Sequence, residues 1–153
     1  MTKIIKDIPL PSEHRMYILT MYNISPIQQG IQAAHAIVEY DVEHRDVDFY
    51  PPGLYRWQRK DKTIIILNGG TSNDMKNHVK ALKKNAVYHS FFKEPDLNNS
   101  ISAIAFLVPE IVWNKKKYPD EDKKGHHLDY IFLMSDPSEW WLRYKFLPQF
   151  KLA

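Results

Sequence analysis

Apolar and polar positions divide the chain into alternating extended and helical stretches. Met16-Tyr17-Ile18-Leu19-Thr20-Met21-Tyr22 is nearly continuous in apolar, β-branched and aromatic residues, which predicts a first strand buried on both faces. It runs into Asn23-Ile24-Ser25-Pro26, where Ser25 suits a helix N-cap, Pro26 the first helical position, and Gln28 completes a Ser-x-x-Gln capping box. Ile27, Ile31, Ala34 and Val38 then recur at helical spacing, and the small residues Gly30, Ala33, Ala34 and Ala36 let a backbone lie close to a sheet. This predicts a helix to about Glu43. Residues 46–61 read as a loop holding Pro51-Pro52-Gly53, then a short helix or turn with Leu54, Tyr55 and Trp57.

Thr63 to Leu67 is the clearest buried strand, with Asn68-Gly69-Gly70 read as the turn that ends it. Thr71 or Ser72 caps a second helix whose apolar side is Met75, Val79 and Leu82 and whose stop is Asn85. Two further strands, Val87 to Phe92 and Ile101 to Val108, are joined by the polar segment Lys93 to Ser100, and their closeness makes them antiparallel. This order predicts a layered α/β domain in which right-handed crossovers place parallel strands side by side. Beyond Pro109 come a short segment ending at Trp113, a charged stretch from Lys115 to Lys124 and the apolar run Tyr130 to Met134. Asp136-Pro137-Ser138-Glu139 then opens a last helix with Trp140, Trp141, Leu142, Tyr144 and Phe146. The expected division is an N-terminal arm over 1–14, the α/β domain over 15–109, and an extension over 110–153 packed on that same domain.

At 153 residues, 44% hydrophobic and 13% aromatic, the chain has enough apolar material to close one core. It has no cysteine, which excludes disulfides, thiol catalysis and zinc–thiolate sites. Its apolar runs fall far short of the roughly 20 residues that span a bilayer. Asp7, Pro9, Pro11 and Glu13 interrupt the place where a signal sequence would need an apolar stretch. A soluble, cytoplasmic protein without membrane contact is expected. The formal charge of +3 permits an acidic partner such as RNA without requiring one.

Two stretches carry candidate chemistry. Gln28, Gln32, His35 and Glu39 are separated by four, three and four residues and so form one polar stripe on the first helix. His35 either orients a water, a hydroxyl or a phosphate, or bonds a loop backbone and packs against the sheet. The second stretch is Glu94-Pro95-Asp96 with Asn98, Asn99 and Ser100, where Asp96 either polarises a water or ribose hydroxyl or serves an ordinary turn. Helix start and strand ends share one edge in an α/β sheet, so both stretches are expected to face one cleft. His126-His127 reads as an exposed turn, Trp140 and Trp141 as core packing, and no metal or cofactor is expected.

Gln29-Gly30-Ile31-Gln32-Ala33-Ala34-His35-Ala36, directly after a buried strand, resembles the helix signature of the non-bacterial (type II) peptidyl-tRNA hydrolases, approximately Lys-x-Ala-Ala-Gln-Cys-Ala-His-Ala. Gln32 falls on its glutamine and His35 on its histidine. Ala103 to Pro109 is similar to the family's closing strand, and the likeness covers about Arg15 to Pro109. The resemblance implies a three-layer α/β/α fold with a mixed, mostly parallel four-stranded sheet, and cleavage of the ester joining a peptide to the terminal ribose of tRNA, without a metal. In that family a lysine before the first helix and an aspartate in the loop before the last strand are linked to activity. Together with the chemistry of the two stretches, this gives expected catalytic roles for Asp96 and His35 and substrate-binding roles for Gln28, Gln32, Asn98 and Asn99. Gln28 stands where the family has a lysine, and Glu94-Pro95-Asp96-Leu97-Asn98-Asn99 replaces its Asp-x-Gly-x-Thr-Gln loop. The shorter loop looks like that of hydrolase-like proteins carried by large bacteriophages. The expected partners are tRNA or a nucleotide-containing ligand, with a second copy of the chain and a host protein also open. The rival expectation is a catalytically degenerate binding protein on the same scaffold, sequestering a nucleotide or tRNA end or inhibiting a host protein.

Overall fold

A computed structural model describes residues 3–4, 13–45, 53–130, 134 and 136–153. Its elements run β1 (Lys3–Ile4), β2 (His14–Met21), α1 (Pro26–His44), α2 (Leu54–Arg56, continued by a π-helical turn over Trp57–Asp61), β3 (Ile64–Gly70) and α3 (Ser72–Lys84). They continue with β4 (Ser90–Glu94), β5 (Ser100–Pro109), α4 (Glu110–Trp113), β6 (Leu128–Asp129) and α5 (Pro137–Trp141, followed by a π-helical turn over Leu142–Phe146). Most of the expected 1–14 arm and the Pro51-Pro52 loop lie outside the described residues. Within that arm, Lys3–Ile4 pairs in parallel with Leu128–Asp129.

The main sheet has the order β3-β2-β5-β4. It is mixed, as its strand pattern suggests, but it is not mostly parallel: β2 and β3 run parallel, whereas β5 pairs antiparallel with both β2 and β4. The hairpin joining β4 to β5 forces the first antiparallel pair, and seating β5 beside β2 produces the second.

Alternate positions on the strands separate two cores. Met16 and Ile18 of β2, with Ala103, Ala105 and Leu107 of β5, pack against Ala33, Ala36 and Tyr40 of α1. Leu19 and Met21, with Ile104, Phe106 and Val108, pack against Met75 and Leu82 of α3. Ile111, Val112, Tyr118, Leu128, Tyr130, Leu142 and Phe146 join this second core, so the C-terminal part covers the α3 face. Helix starts follow local chemistry. The Ser25 hydroxyl accepts from the Gln28 amide at 3.2 Å, and Thr71 with Asp74 completes a reciprocal capping box.

Two strand limits differ from the apolar pattern. β3 runs through Asn68 and Gly69 to Gly70, because Gly70 pairs with Met21 after a bulge that leaves Gly69 unpaired. Only glycine fits there: a Cβ on Gly69 would lie 2.4 Å from the Met75 sulfur and 3.1 Å from the Thr20 carbonyl oxygen. β4 begins at Ser90 rather than Val87, and it extends to Glu94.

Candidate functional site

Even-numbered residues of β4 face α1. Ser90 pairs with Ala105 and Phe92 with Ala103, both on the α1 side of β5, and Glu94 continues the alternation. On β5 the alternation breaks: Ala103 opposes Phe92 and Ile101 opposes Lys93, leaving Ser102 as an extra residue. Ile101 remains in the core under α3, so the bulge turns Ser102 toward α1 beside Ala103.

The result is a polar chain through three elements. The fully buried Ser102 hydroxyl donates to Gln32 Oε1 at 2.5 Å. Gln32 Nε2 donates to Glu94 Oε2 at 2.7 Å and faces Gln28 Oε1 at 3.5 Å. Gln32 is only 2% exposed, and with both ends of its amide engaged it is held in one orientation. The other carboxylate oxygen of Glu94, Oε1, accepts from the Asp96 amide at 3.3 Å. These contacts hold the Glu94 carboxyl below the ordinary carboxylate range: the Gln32 hydrogen bond contributes most, then the Asp96 amide, against an opposing effect of burial, and the charge interaction with His35 is the smallest contribution.

His35 lies one turn along α1 from Gln32, exposed, with its ring stacked on Phe92 at 4.3 Å and 13°. Among the described residues no hydrogen bond engages its ring nitrogens. Of the two sequence readings of His35, the loop-bonding one therefore finds no contact to rest on, while stacking on the sheet is real. Its nitrogens remain open to a ligand.

No protein-family model matches the chain, and no curated protein matches it.

The sequence candidates divide by position. Gln28, Gln32 and His35 come together with the hairpin on one side of α1. Asp96 sits exposed in a short 3₁₀ turn (Pro95–Leu97), and only its backbone amide takes part in the cluster. Asn98 and Asn99 are exposed at the hairpin tip with φ of +55° and +56°, a left-handed conformation asparagine tolerates, and the Asn99 amide donates to the Glu94 carbonyl at 3.0 Å. The turn reading thus describes their backbones, while their side chains remain at the rim. Glu94 and Ser102 are the members the sequence reading did not single out. A strand carried two residues further would have placed Glu94 in phase with Phe92, whereas the Ser102 bulge leaves no local signature.

The other features keep to their plainer readings except Trp140, for which the sequence predicts core packing. His126 and His127 are exposed, with His126 Nδ1 3.1 Å from Asp122 Oδ2. Trp141 packs on the core while Trp140 stays 42% exposed. Among the described residues no group of three or more His, Asp or Glu side chains is arranged to hold a metal ion, and no helix is long and apolar enough to cross a membrane.

Proposed function

We propose that the chain is a peptidyl-tRNA hydrolase-like ester hydrolase acting on the acylated ribose end of tRNA or a related acyl-nucleotide. The observation that carries this reading is the buried Gln32 amide, which joins Ser102 to Glu94 and so presents a fixed carboxylate beside an imidazole with free nitrogens. The likeness of the α1 segment to the family signature, at Gln32 and His35 in particular, agrees with it. So does a scaffold whose two helix-covered sheet faces correspond to an α/β/α layering.

In this mechanism neutral His35 takes a proton from water as the oxygen attacks the ester carbonyl. Glu94 stabilises the imidazolium that forms, and His35 returns the proton to the departing ribose oxygen. Gln32 positions Glu94, and Ser102 fixes Gln32. Gln28, Asn98 and Asn99 orient the ester and ribose from the rim, and the N-terminus of the long α1 helix favours a nearby phosphate. All rim donors to the developing oxyanion are neutral. One good donor is commonly worth about two to three orders of magnitude in rate, so the enzyme is slow.

Ester release from an N-blocked aminoacyl-tRNA tests the assignment. His35→Ala and Glu94→Gln should each lose about a hundredfold or more, the usual worth of acid–base catalysis, while Asp96→Asn retains most of the rate. Equal rates for wild type and His35→Ala would end the hydrolase reading. A large loss at Asp96→Asn would transfer the carboxylate role from Glu94 to Asp96.

The presence of Gln28 at the first turn of α1 favours a second reading, a binding protein that holds a nucleotide or tRNA end without turnover. It predicts salt-sensitive binding of tRNA, as phosphate contacts require, with no ester release above buffer.

A further inference from the structure

The solvent side of α1 is not polar. Ile27, Ile31, Val38 and Val42 are 76%, 42%, 60% and 58% exposed, and Ala34, also exposed, lies among them. Successive members are four, three, four and four residues apart. They therefore fall along one stripe of the 19-residue helix, turned away from Ala33, Ala36 and Tyr40, which pack on the sheet. Scattered apolar side chains on a surface are ordinary, but a continuous line of β-branched ones marks a contact surface.

The stripe is arranged to match itself. Ile27 and Ile31 are four residues apart, as are Val38 and Val42. A half-turn about the point midway between Ala34 and His35 exchanges Ile27 with Val42 and Ile31 with Val38. Near that point Ala34 is small, and nothing lies within 4 Å of where a Cβ on Gly30 would be, so a second helix can approach closely. Charge is distributed in the complementary sense. The first turn of α1 has no acidic residue, whereas Glu39, Asp41 and Glu43 lie in its second half, where Arg45 pairs with Asp41 and leaves the two glutamates in excess. An antiparallel neighbour sets each acidic half beside the other helix's positive N-terminal end, and a parallel one would set acid against acid.

We propose that α1 pairs antiparallel with α1 of a second copy of this chain, across a two-fold axis beside Ala34. The interface is isologous and so closes at two copies. A helix of this length is only about 28 Å long, and one helix pair is smaller than the standard interface of about 1,600 Å². The dimer is accordingly weak and reversible. The Gln28, Gln32, His35 stripe runs along the edge of this seam, so each copy forms a wall of its neighbour's candidate site. This inference does not depend on the proposed hydrolase activity.

Sedimentation velocity of the full chain over rising concentration tests it. Wild type should pass from monomer to dimer. The Ile31→Glu, Val38→Glu double variant, changed at exposed positions and monitored for an unaltered circular dichroism spectrum, should bind itself at least about tenfold more weakly. Wild type that stays monomeric throughout, or a double variant that associates as well as wild type, would overturn the proposal. Orientation is read from single cysteines, since the chain has none of its own. With a short bismaleimide, Ala34→Cys should cross-link to itself, and Ile27→Cys should link to Val42→Cys in a mixture but not to itself. Self-linking of Ile27→Cys as efficient as the mixed reaction would rule out the antiparallel arrangement.

Discussion

On each face of the sheet a buried polar side chain ties separate elements together, Arg143 on one and Gln32 on the other, and the two differ in where their contacts lead. Under α3, Arg143 is 1% exposed and turns inward. Its guanidinium donates to the carbonyls of Ile111 and Tyr118 at 2.5 Å each and to Asp120 Oδ1 at 2.9 Å. Tyr144 also donates to Asp120 Oδ1, at 2.7 Å, and burial with that bond pushes the Tyr144 hydroxyl up to about 12. Every contact fastens one stretch of the C-terminal part to another. On the α1 face, Gln32 starts from a buried hydroxyl and ends at a carboxylate beside open imidazole nitrogens. An internal network of the first kind holds a shape, whereas one that delivers a fixed charge to solvent has something to offer a ligand.

The sharpest way to break this contrast is Arg143→Met. It leaves the Ile111 and Tyr118 carbonyls without their buried donor, at about 1 to 3 kcal/mol for each unsatisfied acceptor, read as a lower urea midpoint, while Asp120, its side chain 44% exposed, turns to water. Tyr144 and Asp120 should lose their ordering while the α1 side keeps its hydrogen-exchange protection. Equal loss of protection on both faces would mean that the two networks are one. Gln32→Met should cost about 0.5 to 1.5 kcal/mol, the net worth of a lost hydrogen bond, since the Ser102 hydroxyl retains the Phe92 carbonyl at 3.3 Å as an acceptor. Its ligand or ester-release defect should exceed anything that this stability loss explains, and a purely structural Gln32 would leave the function of the folded fraction intact.

The smallest effect concerns pH. The Glu94 carboxyl titrates lower in the folded protein than in the unfolded chain, so its contribution to stability is fully present above the ordinary carboxylate range. That contribution is lost as pH falls through the lower folded value. Glu94→Gln should flatten that part of the stability profile, measured by urea unfolding at a series of acidic pH values. An unchanged slope would show that Glu94 makes no such contribution.

What the sequence made legible follows from the range of the interactions involved. The Ser25-Pro26 and Thr71 helix starts are decided within four residues, and both are where capping chemistry puts them. The α1 stripe bearing Gln28, Gln32 and His35 follows from helical periodicity alone. Strand ends were harder, since Asn68-Gly69-Gly70 is turn-like in isolation and becomes strand only because β2 lies alongside. The choice between Glu94 and Asp96 is of the same kind: it depends on how far β4 stays paired with β5. Ser102 was invisible because a bulge is a mismatch between two strands and belongs to neither one's pattern. The polar segment between β4 and β5 nevertheless pointed to the correct hairpin.

A strand that takes one step too many leaves its tip half a pleat out of phase with its root. Along β5 the residues under α1 are Ala103, Ala105 and Leu107, and the extra residue, Ser102, joins them out of turn. Deleting that one residue would leave the pairing of its neighbours as it is, with Ala103 opposite Phe92 and Ile101 opposite Lys93. It would remove only the buried hydroxyl that anchors Gln32. The site is thus moored by the one residue that the hairpin's own pairing does not use.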